Sequence, residues 1–153
     1  MTSVIFLPRG IRNNNPGNIR LSKIKWQGQK VTEQSDESFV QFISPVYGLR
    51  ALMRLLLTYY FKYGLDTVES VINRYAPPYE NATDNYIYHV SKVLGVKQTE
   101  KINIATPEIL IKFTKAIVRH ENGKPPRDMP FKWYADSFYE DALDLALPNT
   151  KQD

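Results

Sequence analysis

Ser44–Gly64, SPVYGLRALMRLLLTYYFKYG, is the stretch that sets the architecture. Ser44-Pro45 pairs an N-cap residue with a proline at the first helical position, where its missing N–H goes unmissed. Gly64 is a natural left-handed stop. Between them Arg50, Arg54, Thr58 and Lys62 recur every four positions, while the other faces carry Val, Leu, Met, Tyr or Phe. A helix with one narrow polar stripe is wet on one side only. The spacing therefore predicts a central, mostly buried helix around which the rest of the chain packs.

Working outward from it, further helices are expected on both cap and periodicity grounds. Asp66 can cap a short helix to about Arg74, ended by Ala76-Pro77-Pro78. Thr83 or Asp84 starts another, with Tyr86, Ile87, Val90, Val93 and Leu94 on one side and Gly95 as its stop. Thr106-Pro107 repeats the cap-plus-proline start, and that helix runs to Glu121 before Asn122-Gly123. A last amphipathic helix spans roughly Lys132 to Ala146, ended by Pro148. Upstream, Asn13-Asn14-Asn15-Pro16-Gly17-Asn18 is turn-forming. Short strands are expected around Ile19–Trp26 and Ser38–Phe42, joined through Glu33-Gln34-Ser35-Asp36-Glu37. The predicted class is α+β, mainly α: about five helices and a small β-hairpin in one domain spanning residues 1–153.

Composition narrows the chemistry. The 153 residues are 42% hydrophobic and 24% charged, as expected of one soluble domain that buries a real core. With no cysteine there is no disulfide framework, thiolate metal ligand or thiol nucleophile. Two histidines, His89 and His120, do not frame a metal site. No Walker motif or Gly-rich dinucleotide loop is present, so no cofactor is expected. The apolar run Val4–Leu7 is too short for a signal peptide, and Leu55-Leu56-Leu57 lies in a stretch broken by polar residues. The chain is therefore expected to be made in the cytoplasm without a signal and without an integral membrane segment. Lys plus Arg (20) exceed Asp plus Glu (16), giving +4. The excess is uneven: Arg9, Arg12, Arg20, Lys23, Lys25 and Lys30 occur with no acid among them, whereas the C-terminal part is acidic. That segment is either a solvated surface or a face for a polyanion. It carries no helix-turn-helix, zinc or RNA-binding signature, and no nucleic-acid partner is assigned.

Carboxylates are what remain. On the helix from Pro107, Glu108, Lys112, Lys115 and Arg119 share one side, whereas Glu121 falls beside Ile117 and Leu110 on the inward side. It also sits in the last turn, where the helix dipole disfavours negative charge. Both features raise its pKa, as a general acid requires. The alternative is a helix end frayed into water. His120 does not face Glu121 from the adjacent position and reads as a packed residue or a polar lining group. Four of the ten tyrosines fall in Tyr75–Tyr88, suited either to half-buried packing or to sugar rings. Glu33, Asp36 and Glu37 matter to chemistry only if their loop faces Glu121, since glycoside hydrolysis commonly pairs two carboxyls.

The run Arg9-Gly10-Ile11-Arg12-Asn13-Asn14-Asn15-Pro16-Gly17-Asn18-Ile19-Arg20 resembles the start of a family of phage and prophage proteins often described as virion structural proteins. Trp26-Gln27-Gly28, Phe39-Val40-Gln41-Phe42, Tyr47-Gly48-Leu49-Arg50-Ala51 and Arg74–Thr83 fit the same family, so that the resemblance covers roughly residues 9–125. The order Asn-rich turn, Trp-x-Gly, Val31-Thr32-Glu33, aromatic strand and helix is also similar to flagellar-type peptidoglycan glucosaminidases of the lysozyme superfamily. In those enzymes the helix bearing the catalytic Glu precedes this block. Here Ala116–Gly123 looks like that helix and follows it. The resemblance implies a circularly permuted lysozyme-like domain, which closely spaced termini make tolerable. It implies that Glu121 is the general acid and Glu33 the hairpin carboxylate, with Asn14, Asn15, Asn18, Tyr75, Tyr86 and His120 binding substrate. The implied function is cleavage of peptidoglycan glycan strands as a muramidase, or as a lytic transglycosylase if no second carboxylate acts. The alternative is a non-catalytic virion or glycan-binding protein on the same fold. Either acts at the cell wall after delivery or within a virion, alongside other virion or lysis proteins.

Overall fold

A computed structural model describes residues 7–78, 82–126 and 132–147. The described residues form six helices: α1 (Arg9–Arg12), α2 (Pro45–Tyr63), α3 (Val68–Tyr75), α4 (Thr83–Leu94), α5 (Pro107–Asn122) and α6 (Asp136–Ala146). The protein is mainly α. Gly64 and Gly95 take left-handed backbone as the stops of α2 and α4, as their sequence contexts require. The Glu80-Asn81 turn and Pro148 lie outside the described residues.

The chain departs from expectation at several ends. α3 is capped by Thr67 rather than Asp66: the Thr67 side chain accepts from the Ser70 N–H, and Ser70 reciprocates at the Thr67 N–H. Ser44 and Thr106 hold the cap positions of α2 and α5 without a side-chain cap bond. α6 begins at Asp136, later than the amphipathic pattern suggests. The short α1 is not visible to a periodicity argument, because four residues are too few to show a period.

The expected hairpin reduces to two isolated antiparallel bridges, Arg20–Phe39 and Gln29–Phe42. Residues 39–42 cannot form one continuous ladder because their backbone groups are divided among several partners. The Val40 N–H goes to Ile19, the Phe42 N–H to Asn13, and the Gln41 N–H to the Gln34 side chain. The Gln41 carbonyl in turn accepts from Lys30. Alternation still holds: Val40 and Phe42 are buried and form a small core with Ile19 and Ala51.

α2 supplies the main core through Leu49, Leu52, Met53, Leu56 and Leu57, and the smaller one through Ala51. It packs against α5 and most extensively against α6, while α4 lies on α3 and α5. Its polar stripe is less wet than expected, because Arg54 turns to donate to the Ala146 carbonyl at the end of α6 (3.0 Å). The extended block is seated on α2 at Gly48. A Cβ built there would lie 1.9 Å from the Asn14 carbonyl oxygen. Gly48→Ala is therefore expected to destabilise the protein by about 1–3 kcal/mol through overpacking, although alanine is the better helix former. Urea unfolding checks this, and a gain in stability would show that the loop does not rest on α2.

Candidate functional site

The Asn-rich turn becomes a rigid loop because its side chains replace the missing ladder. Asn15 is fully buried; it donates to the Ile19 and Val40 carbonyls (both 2.9 Å) and accepts from the Ile19 N–H (3.0 Å). Asn14 donates to the Phe42 carbonyl. Asn14 and Asn18 both sit at φ 53°, a left-handed conformation that asparagine tolerates better than most side chains. Asn13 and Asp36 tie the other side together. Asp36 accepts from Arg9 at two oxygens (2.7 Å each), from Asn13 and from the Ser38 and Phe39 N–H groups. The Arg9 hydrogen bond above all, with these further donors, holds the Asp36 carboxyl well below the usual carboxylate range.

The end of α5 grips this loop. Asn18 Nδ2 donates to Glu121 Oε1 at 2.8 Å, and Asn122 Nδ2 donates to the Pro16 carbonyl at 2.8 Å. From α3, the Tyr75 hydroxyl donates to the Gly17 carbonyl. These contacts wall a cleft of ≈ 360 Å³ whose lining includes Asn18, Arg20, Phe39, Tyr59, Tyr75 and Glu121. Glu121 is the one acid among the described lining residues. A separate cavity of ≈ 240 Å³, walled by Val93, Ala116, Val118, Trp133 and Tyr139, holds no carboxyl. No group of three or more His, Cys, Asp or Glu among the described residues is arranged to hold a metal ion.

Burial raises the Glu121 pKa, with Asn18 and Tyr86 pulling in the opposite direction. Tyr86 meets the carboxyl in a geometry looser than a regular hydrogen bond. Burial also pushes Tyr75 and Tyr86 well above the ordinary tyrosine value, and the Glu121 charge adds to this, so both keep their protons. Behind the carboxyl, Tyr86 stacks on His120 at 3.8 Å and makes an edge contact with Tyr75 at 6.4 Å. Burial lowers the His120 pKa, and His89 and Arg119 lower it further, which keeps the imidazole neutral near pH 7. The result is a carboxyl inclined to hold a proton at one end of a cleft walled by tyrosines that remain donors.

Glu121, Asn18 and Tyr75 thus meet at one place, with Tyr86 and His120 packed behind them. Asn14 and Asn15 do not line the cleft, since the loop's own backbone occupies their amides. Glu33 stands exposed at φ 60° and is not among the lining residues. Phe39, Arg20 and Tyr59 join the cleft although the sequence assigns none of them to the site. Alternation could have indicated Phe39, because buried Val40 and Phe42 leave it facing outward.

Two expectations follow. Asn15→Ala strands two buried backbone groups, the Ile19 N–H and the Val40 carbonyl, and should cost about 2 kcal/mol or more in urea unfolding; a cost near zero would mean that the loop is held by other bonds. Glu121→Gln removes a partly buried ionisable group whose folded-state pKa is raised. Such a group favours folding at low pH and loses that contribution as pH rises through the folded-state pKa. The variant should therefore gain Tm relative to the wild type as pH rises from the ordinary carboxyl range towards neutrality. Calorimetry across that range reads the trend, and a gain confined to low pH would contradict it.

No family model matches the chain. Protein P5 of Pseudoalteromonas phage PM2 is 40% identical to it over 121 residues, 77% of this chain and 73% of that protein. With similarity of that level across most of both sequences, the chain belongs to the same phage protein family as P5 of phage PM2.

Proposed function

We propose that this protein cleaves the glycan strands of peptidoglycan, as a phage or prophage enzyme with Glu121 as the general acid. The observation that carries the proposal is the placement of Glu121: partly buried in the last turn of α5, raised in pKa by that burial, and opening on a cleft. A carboxyl that keeps its proton can deliver it to a glycosidic oxygen. Tyr75 and Asn18 line the cleft with polar groups already bonded to Gly17 and Glu121, and Phe39 and Tyr59 offer apolar faces to sugar rings. A carboxyl at a helix end facing an extended, poorly laddered block also suits a permuted lysozyme-like arrangement, with α5 following that block in sequence. The one carboxyl among the described lining residues favours the lytic transglycosylase branch: Glu121 protonates the leaving oxygen as the substrate's own N-acetyl oxygen attacks the anomeric carbon, then the sugar's C6 hydroxyl displaces that oxygen, returning its proton to Glu121 and leaving an anhydro end. Asp36 is committed to Arg9 and to its own loop.

Purified protein should clear a murein zymogram, and mass spectrometry of the digest reads hydrolysed against anhydro ends. Glu121→Gln should lower the rate by about 10²–10⁴-fold with folding intact; unchanged clearing would falsify the assignment. Asn18→Gly keeps the left-handed backbone while removing the amide that favours the ionised carboxylate. Its basic limb in the pH–rate profile should move to higher pH. A shift to lower pH would place the acting carboxyl elsewhere.

A second reading has an observation of its own. Because Glu121 also latches the loop through Asn18, the carboxyl could serve structure in a non-catalytic glycan-binding virion protein. That reading predicts binding to sacculi with neither new reducing ends nor anhydro products.

A further inference from the structure

A third concavity, of ≈ 550 Å³, opens beside the cleft, between Lys25, Trp26 and Gln27 of the extended block and Arg50, Arg54 and Thr58 of α2. Its lining carries three cations and no acid. None of the three forms an ion pair with an acid among the described residues. Arg54 uses one guanidinium nitrogen on the Ala146 carbonyl. Arg50 Nε and Trp26 Nε1 are both shut off from solvent without a hydrogen-bond partner. Burial, and then the Arg54 charge, lower the Arg50 pKa. Two guanidinium groups one helical turn apart, with nothing to neutralise them, are a poor arrangement for stability and a good one for an anion.

We propose that this trough binds a carboxylate carried by the polymer that occupies the Glu121 cleft, the group found on the peptide stems of peptidoglycan. The inference rests on the glycan reading above. Leu55 lines the cleft while its neighbours Arg54 and Thr58 line the trough, so one ligand can reach both around α2. Arginine presents paired N–H donors that match a carboxylate's two oxygens, and Trp26 supplies an apolar wall for an aliphatic stem. A phosphodiester chain is less well served, since a nucleic-acid surface needs an extended basic row. The basic N-terminal segment does not provide one in full, because Arg9 is already consumed by Asp36.

The test is calorimetric titration of the full chain with three probes: a soluble stem tetrapeptide with free carboxylates, its fully amidated counterpart, and a single-stranded DNA oligonucleotide. The free acid should bind at least about tenfold more tightly than the amide, the scale of one charge-assisted hydrogen bond. Lys25→Gln, at an exposed side chain, and Arg50→Gln should each remove most of that preference. Equal binding of acid and amide, binding of neither, binding of the oligonucleotide alone, or a preference untouched by both substitutions would each overturn the proposal. Sacculus digestion by wild-type protein separates the two readings. Digestion without stem binding removes the trough and leaves the glycan reading, and stem binding without digestion does the reverse.

Discussion

The close approach of the Asn14 carbonyl to Gly48 in α2 is the constraint from which the site follows. Only a hydrogen fits on the inner side of that Cα. A neighbouring pair of glycines extends the logic. A Cβ on Gly10 would meet Asn18 and Asn122 oxygens at 2.8 and 2.7 Å, and one on Gly17 would meet the Tyr75 hydroxyl at 2.8 Å. With the loop seated this deeply, the Pro16 and Gly17 carbonyls and the Asn18 amide are presented to α5 and α3. Those helices answer with Asn122, Tyr75 and Glu121. The loop that binds the helices together therefore also covers the carboxyl and raises its pKa.

Two acids in the same small region meet opposite fates, and environment alone separates them. Asp36 collects a bidentate arginine, an amide and two backbone N–H groups, all of which favour the ionised form. Glu121 receives one amide and a loosely placed phenol, and burial outweighs them. Asp36 serves the loop, whereas the Glu121 carboxyl, its pKa raised by burial, stands where the cleft opens. The helix end compounds this, because the carbonyl ends of α5 already present negative charge there. An acid in the last turn of a helix, partly covered and without an ion pair among the described residues, is held there by the Asn18 amide rather than by a countercharge.

Legibility varied with the range of the interaction. The helices were readable because a period of 3.6 and flanking prolines and glycines are local signals, and α2, α4 and α5 match them closely. The inward placement of Glu121 was readable for the same reason, as Ile117 and Leu110 share its side of the helix and both are fully buried. The hairpin is weaker than its alternation implies. Alternation in Phe39–Phe42 signalled a strand, but Asn13, Asn15 and Gln34 took bonds that a partner strand would have used. The Asn run illustrates the same limit: Asn14, Asn15 and Asn18 look alike as turn formers, yet one is wholly internal and another reaches α5.

By itself, the sequence determined the helical character, the central place of α2, the turn at Asn13–Asn18 and the inward side of Glu121, because each depends on residues within a few positions of one another. It also carried the likeness to a phage protein, 40% identity over 121 residues. Only tertiary structure decided that Asn18 rather than Asn14 or Asn15 meets Glu121, that Tyr75 anchors Gly17, and that Asp36 is spent on Arg9. Those partners lie 103, 58 and 27 positions apart. Hydrogen bonds across such separations depend on how closely two backbones can approach, and here that distance is set by glycines packed against other segments.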